Sequence, residues 1–106
     1  MTAIDVSALD AQAEEAATFL KSLANPVRLK ILCTLVEGEC SVGALAERAG
    51  VREPVVSQHL MRLRGGGLVK NRRVGTTGFY ALADGPVPGV RRALHDAFCR
   101  PAPGGR

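Results

Sequence analysis

The sequence predicts a mainly α-helical fold with one small β-hairpin, built as a single domain. Three observations carry that reading. Apolar residues recur at steps of three and four in separate stretches, the spacing of amphipathic helices. Alanine and leucine are abundant while only Phe19, Phe79, Tyr80 and Phe98 are aromatic, a composition that favours helix. Late in the chain, Gly75-Thr76-Thr77-Gly78 separates two short strand-like runs, the signature of a hairpin. A length of 106 residues suits one domain with one core. Small aliphatic side chains bury little area each, at roughly 25 cal/mol per Å², so a lone copy would be marginal. The expectation is a homodimer whose protomer has five helices and a two-stranded hairpin.

Each element has its own signal. From about residue 6 to 23, Leu9, Ala13, Ala16, Leu20 and Leu23 line one side of a first helix. Asn25-Pro26 joins an N-cap residue to proline at the first helical position. The second helix then runs to Glu37 on a face of Leu29, Leu32, Leu35 and Val36, and Gly38 stops it. Ser41 caps a short third helix through Leu45, Ala46 and Ala49, which Gly50 ends. After Val51 and Arg52 a fourth helix begins near Pro54, with Val56, Leu60 and Leu63 facing inward and Gly65-Gly66-Gly67 terminating it. Two short helices joined by a glycine-containing turn form a helix-turn-helix. Strands over residues 68–74 and 79–82 follow, with Lys70, Arg72 and Arg73 on the first. A helix-turn-helix followed by a basic hairpin is a winged helix-turn-helix. A fifth helix after Pro88 sets Val90, Leu94, Ala97 and Phe98 on one face. The domain spans residues 1–100, and the Pro- and Gly-rich stretch 101–106 reads as a disordered tail.

The formal net charge of +4 is sorted along the chain. The first 20 residues hold Asp5, Asp10, Glu14 and Glu15 and no base; the remaining 86 carry a net +8. From Arg52 to Arg73 six bases face Glu53 alone, a +5 block within 22 residues. Such a block suits an anionic partner such as nucleic acid, although charge alone is equally satisfied by a solvated basic face. No stretch reaches the roughly 18–20 apolar residues of a membrane helix. The first residues also lack the basic flank and apolar run of a secretion signal, which makes the cytoplasm the default location. Three cysteines, an odd number, argue for thiols kept for packing or chemistry rather than for a disulfide scaffold. His59 and His95 are the only histidines, neither sits in a nucleophile triad, and no glycine-rich phosphate loop precedes a helix. An enzyme is not expected.

Four ordered motifs resemble those of the ArsR/SmtB-type bacterial repressors. They are Leu23-Ala24-Asn25-Pro26-Val27-Arg28-Leu29-Lys30-Ile31-Leu32, Ser41-Val42-Gly43-Ala44-Leu45, and Pro54-Val55-Val56-Ser57-Gln58-His59-Leu60 with Leu63-Arg64. The fourth is the wing, Gly67-Leu68-Val69 with Phe79-Tyr80-Ala81-Leu82. The likeness covers roughly residues 18–100 and implies a small winged dimer joined through its first and last helices. Its partner would be double-stranded operator DNA with an inverted repeat, and no cofactor is implied. Paired cysteines that would ligate metal at the start of the third helix are reduced here to Cys40. The last helix offers only the adjacent His95 and Asp96, which point to different faces. Neither metal site of the family is expected. Cys33 and Cys99 instead resemble the dithiol of the persulfide-responsive branch, the SqrR, BigR and HlyU type. That resemblance implies that a persulfide or polysulfide inducer links them and that DNA is released, controlling sulfide detoxification genes. Taken alone, Cys33 reads better as a small buried hydrophobe; its pairing with Cys99 at the spacing of that branch reverses this, and Cys40 is accessory or incidental. With Cys40 included, a three-thiolate arsenite or cadmium site is the alternative; a constitutive DNA-binding protein is another.

The fourth helix would enter the major groove. Glu53, Val55, Ser57, Gln58, His59 and Arg62 are then the residues facing DNA, with Gln58 suited to an adenine edge and His59 to the backbone at most. Arg72, Arg73, Thr76 and Thr77 would carry the wing to phosphates or the minor groove. Arg52 stands where relatives often cap this helix with serine or threonine, and Gly78 where a β-branched residue is usual; the latter should loosen the second wing strand.

Overall fold

A computed structural model describes residues 6–99 of the chain; the expected tail at 101–106 lies outside the described residues. The order of elements is α1 (Val6–Ala11), α2 (Ala13–Leu23), α3 (Pro26–Leu35), β1 (Cys40–Ser41), α4 (Val42–Ala49), α5 (Glu53–Gly65), β2 (Val69–Val74), β3 (Thr77–Leu82) and α6 (Val87–Phe98). Helices α2 to α6 enclose one core with the base of the sheet. Ile31, Leu32, Leu45, Val56 and Leu60 are fully buried in it, and Leu63 nearly so.

The expected first helix is two. Gln12 leaves helical geometry at φ −105°, ψ 8°, and its N–H bonds back three residues to Leu9 O at 3.1 Å. Apolar spacing continues across that break, so periodicity does not register it. Helix α3 starts where predicted: Asn25 Oδ1 accepts from the N–H groups of Val27 and Arg28 at 2.9 and 3.0 Å, ahead of Pro26. It ends at Leu35, two residues before Glu37, and is buried along Ile31, Leu32, Thr34 and Leu35. The Thr34 hydroxyl donates to Lys30 O at 2.7 Å, which satisfies its polar group in that setting.

The wing has three strands rather than two. Strand order is β1-β3-β2, all antiparallel, with Cys40 opposite Tyr80 and Ser41 opposite Phe79. A two-residue strand has no periodicity of its own and exists only through its partner. β2 and β3 pair from Val69–Leu82 to Val74–Thr77, so the turn is only Gly75-Thr76. Gly75 takes φ 61° while Thr76 does not take positive φ, the pattern of a turn whose first central residue must be glycine. The second strand therefore starts at Thr77, two residues earlier than expected.

Outside the core, faces of α1, α2 and α6 remain open. Leu9 is 57% exposed, Leu20 55% and Phe98 80%, and an apolar groove of about 560 Å³ runs along Ala16, Phe19, Leu20 and Pro86. The radius of gyration is 16.0 Å, with extents of 51 × 42 × 20 Å. A compact chain of this length has a radius of about 13 Å, so the protomer is elongated. Among the described residues no helix is long and apolar enough to cross a membrane.

Candidate nucleic-acid interface and thiol site

The helix-turn-helix is built by local caps. Ser41 Oγ accepts from Ala44 N at 3.1 Å to start α4, and Gly50 ends it in the left-handed conformation at φ 73°. Arg52 precedes α5 without any side-chain cap. Val56, Leu60 and Leu63 anchor α5 on the core, which leaves Val55, Ser57, Gln58, Met61 and Arg62 on exposed faces. Met61 is 71% exposed one turn beyond Ser57 and was not among the expected contacts, although the step of four from Ser57 pointed to it.

A groove of about 550 Å³ separates the start of α5 from the wing. It brings together Glu53, Ser57, Arg72, Arg73, Thr76 and Thr77, six of the residues expected to face DNA. Glu53 reaches back over α4, where a Cβ on Gly43 would lie 3.3 Å from Glu53 Oε2, a contact that the exposed carboxylate relieves by shifting a few tenths of an ångström. Arg72 is already engaged. Its Nε and Nη2 donate to the Glu39 carboxylate at 2.7 and 2.8 Å, and its guanidinium lies 5.3 Å from the centroid of Phe79, its cross-strand partner. That bidentate bond holds the Glu39 carboxyl below its usual range and the Arg72 guanidinium above. Arg73 Nη1 donates to Thr76 O at 3.3 Å across the hairpin tip.

His59 lies elsewhere. It is half-buried on the other flank of α5, with Nδ1 3.3 Å from Arg28 Nη1 of α3. A guanidinium only donates, so Nδ1 accepts and Nε2 carries the proton of the neutral ring. Burial, then the charges of Arg28 and Arg62, push the imidazole below its ordinary value and favour the neutral ring. His59 is therefore turned towards α3 rather than grouped with Ser57 and Gln58.

The thiols divide in the same way. Cys33 is half-buried on α3, and Cys99 is exposed at the end of α6, its N–H bonded to His95 O at 2.8 Å. Burial raises the Cys33 thiol, the Arg91 guanidinium draws it down and Cys99 raises it again. Cys33, Arg91 and Cys99 thus share one electrostatic neighbourhood where α6 crosses α3. Arg91 Nη2 also bonds Glu37 Oε2 at 2.8 Å. Cys40 sits in β1 opposite Tyr80, against the core. Among the described residues no three His, Cys, Asp or Glu side chains gather at metal-holding geometry.

Comparison with known proteins agrees with this geometry. A sequence model of the bacterial regulatory protein, arsR family, matches residues 25–71, from the cap of α3 into β2. The biofilm growth-associated repressor of Agrobacterium fabrum is 42% identical over 92% of this chain and 84% of its own. The chain belongs to the ArsR family. Among solved structures, the ArsR-family chain resembles the transcriptional repressor BigR of Xylella fastidiosa with a TM-score of 0.87 at 40% identity, over 92% of this chain and all of the other. It also resembles the homodimeric winged helix-turn-helix DNA-binding domain of Mycobacterium bovis, a possible ArsR-family regulator. There the TM-score is 0.71 and the identity 32%, over 98% of this chain and 97% of the other. These relatives are transcriptional regulators, and the ArsR-family chain described here is likewise a winged helix-turn-helix regulator rather than an enzyme.

Proposed function

We propose that this ArsR-family chain is a homodimeric repressor that holds operator DNA while Cys33 and Cys99 are reduced, and releases it when persulfide chemistry links them. The observation that carries this reading is the packing of α6 on α3, two helices in contact of which one carries the half-buried Cys33 and the other ends at the exposed Cys99. Helix α3 packs against α4 and α5, the reading head, whereas α6 ends in the exposed Phe98 and Cys99. A bond between the thiols ties the reading head to a helix suited to a second copy. The bond biases the spacing of the two α5 helices, which must match half-sites about one DNA turn apart or a multiple of it. A few kcal/mol against the DNA-competent dimer suffices to clear an operator. The genes controlled would be those that dispose of sulfide.

The chemistry balances with a persulfide as the only reagent. Each thiolate attacks the outer sulfur of an RSSH molecule and becomes a protein persulfide, releasing RS⁻. One protein persulfide then attacks the inner sulfur of the other and expels HS⁻. The result is Cys33–S–S–S–Cys99, two RSH and one H₂S, the last carrying the two electrons removed from the thiols. The exposed Cys99 is the thiol that an incoming reagent meets first. Inserted sulfur also supplies selectivity if the reduced thiols stand beyond direct disulfide reach, which requires Cα atoms about 4.4–6.8 Å apart.

The test is mass spectrometry of the reduced protein after glutathione persulfide and, separately, after hydrogen peroxide or glutathione disulfide. Gel shifts accompany it, on duplexes selected by the reduced protein from a randomised pool. The expected result is a Cys33–Cys99 crosslink containing added sulfur together with loss of the shifted band after persulfide alone. Equal DNA affinity before and after treatment would make the protein a constitutive binder. A crosslink without added sulfur as the main persulfide product would overturn the distance argument.

A further inference from the structure

Lys21 of α2, Arg28 of α3 and Arg62 of α5 converge on a small cavity of about 190 Å³, with Ser22 and Leu63 completing its wall. No acidic side chain lines it, and none of the three bases has a carboxylate partner among the described residues. Ser57, on the groove facing the wing, and Arg62 are five residues apart, so they stand about 140° apart around the α5 axis. The cavity is therefore on the flank of α5 away from the wing.

Arg28 is held in place before anything binds. Its Nε donates to Ser22 O at 2.8 Å, Nη2 to Lys21 O at 3.3 Å, and Nη1 meets His59 Nδ1 at 3.3 Å. A guanidinium has five N–H donors, so two remain unused. A fork already fixed by three bonds loses little further freedom on meeting an anion. Burial first, then the charges of Arg28 and Arg62, hold the neighbouring His59 imidazole below its ordinary value, in keeping with the concentration of bases at the cavity. At roughly 30 Å³ per water, the cavity has room for several waters and hence for a tetrahedral oxyanion.

We infer that this cavity seats a phosphate of the DNA backbone. The inference rests on the DNA-reading function proposed above. It extends that reading by adding Lys21 and Arg28, from the two helices before the helix-turn-helix, to contacts otherwise drawn from α5 and the wing. Duplex DNA is then gripped on both sides of α5, by the hairpin on one side and by this basic pocket on the other. One seated phosphate adds affinity without regard to sequence and fixes the angle at which α5 enters the groove.

The experiment measures binding of a fluorescent duplex of arbitrary sequence by anisotropy across a salt series. It compares the full chain with Lys21→Gln, Arg62→Gln, the double variant, and Lys30→Gln, an exposed base on α3 that does not line the cavity. Lys21→Gln and Arg62→Gln should each weaken binding and flatten the plot of log K against log salt by up to about one. The double variant should also lose about one rather than two, because both bases act on one phosphate. Over a fourfold rise in salt the unaltered chain should then lose about three- to fourfold more affinity than the double variant. Lys30→Gln should leave the slope in place. A Lys21→Gln slope equal to that of Lys30→Gln, or a loss of two in the double variant, would overturn the shared phosphate seat. An unaltered chain that binds no duplex at all would remove the DNA-reading function itself.

Discussion

Arg91 of α6 donates to Glu37, just beyond the end of α3, across 2.8 Å, and the same guanidinium draws down the Cys33 thiol that burial pushes up. Net burial wins, so Cys33 ionises above the ordinary thiol range. Its alkylation by iodoacetamide, followed site by site with mass spectrometry, should therefore rise at higher pH than that of a free cysteine. Replacing Arg91 by Gln removes the charge that favours thiolate and should move the Cys33 profile further up. Cys99→Ser removes an opposing negative charge and should move it down. Identical profiles in all three proteins would break the electrostatic link between α3 and α6.

The dithiol reading makes a second prediction about function. Cys33→Ser and Cys99→Ser should each bind selected DNA like the unaltered chain and keep that affinity after persulfide treatment. Cys40→Ser should still respond, because Cys40 is held in β1 opposite Tyr80. Normal release by both Cys33→Ser and Cys99→Ser would refute the two-thiol switch.

Glu39 pairs with the Arg72 guanidinium and neutralises the charge that this wing base would bring to a DNA phosphate in the proposed reading. Glu39→Gln should raise affinity for duplex DNA and steepen its salt dependence by about one. Acid should act in the same direction. The Glu39 carboxyl is held below its usual range by the Arg72 bond, so the pair persists above the ordinary carboxylate pKa and is lost as pH falls through the depressed value. Unchanged salt slopes in Glu39→Gln would show that Arg72 never reaches phosphate.

The open apolar faces of α2 and α6 predict how the protomers join. Leu20→Glu places a charge on a surface that is 55% exposed in one chain, so folding of the protomer should be little affected. Sedimentation should nevertheless show a shift from dimer to monomer, and DNA affinity should fall with it. A dimer of unaltered strength would move the interface elsewhere.

Helix caps predict stability. Asn25→Ala removes the acceptor of two N–H groups and should cost about 1 kcal/mol, read as a lower urea midpoint with unchanged slope. Arg52→Ser installs the missing acceptor before α5 and should add roughly 0.5–1 kcal/mol. A neutral result for both would place the entrances of these helices under tertiary control.

The caps were legible because they are local. Asn25, Ser41 and Gly50 act on groups within four residues, and the backbone around them follows. The inward set Val56, Leu60 and Leu63 was legible for a related reason, since a helix period and one buried face are enough to define it. Met61 was missed although its step of four from Ser57 marked it. The phosphate seat was missed because Lys21, Arg28 and Arg62 come from three helices with no shared spacing.

What the residues decided alone, then, is the winged helix-turn-helix and its capped entrances at Asn25 and Ser41. Packing decided the rest. It recruited Cys40 and Ser41 as a third strand, turned His59 onto Arg28 and clasped Arg72 to Glu39. Each of these joins groups distant in sequence or depends on a neighbour's shape. Such contacts are set by the closure of the core and not by the propensity of any one segment.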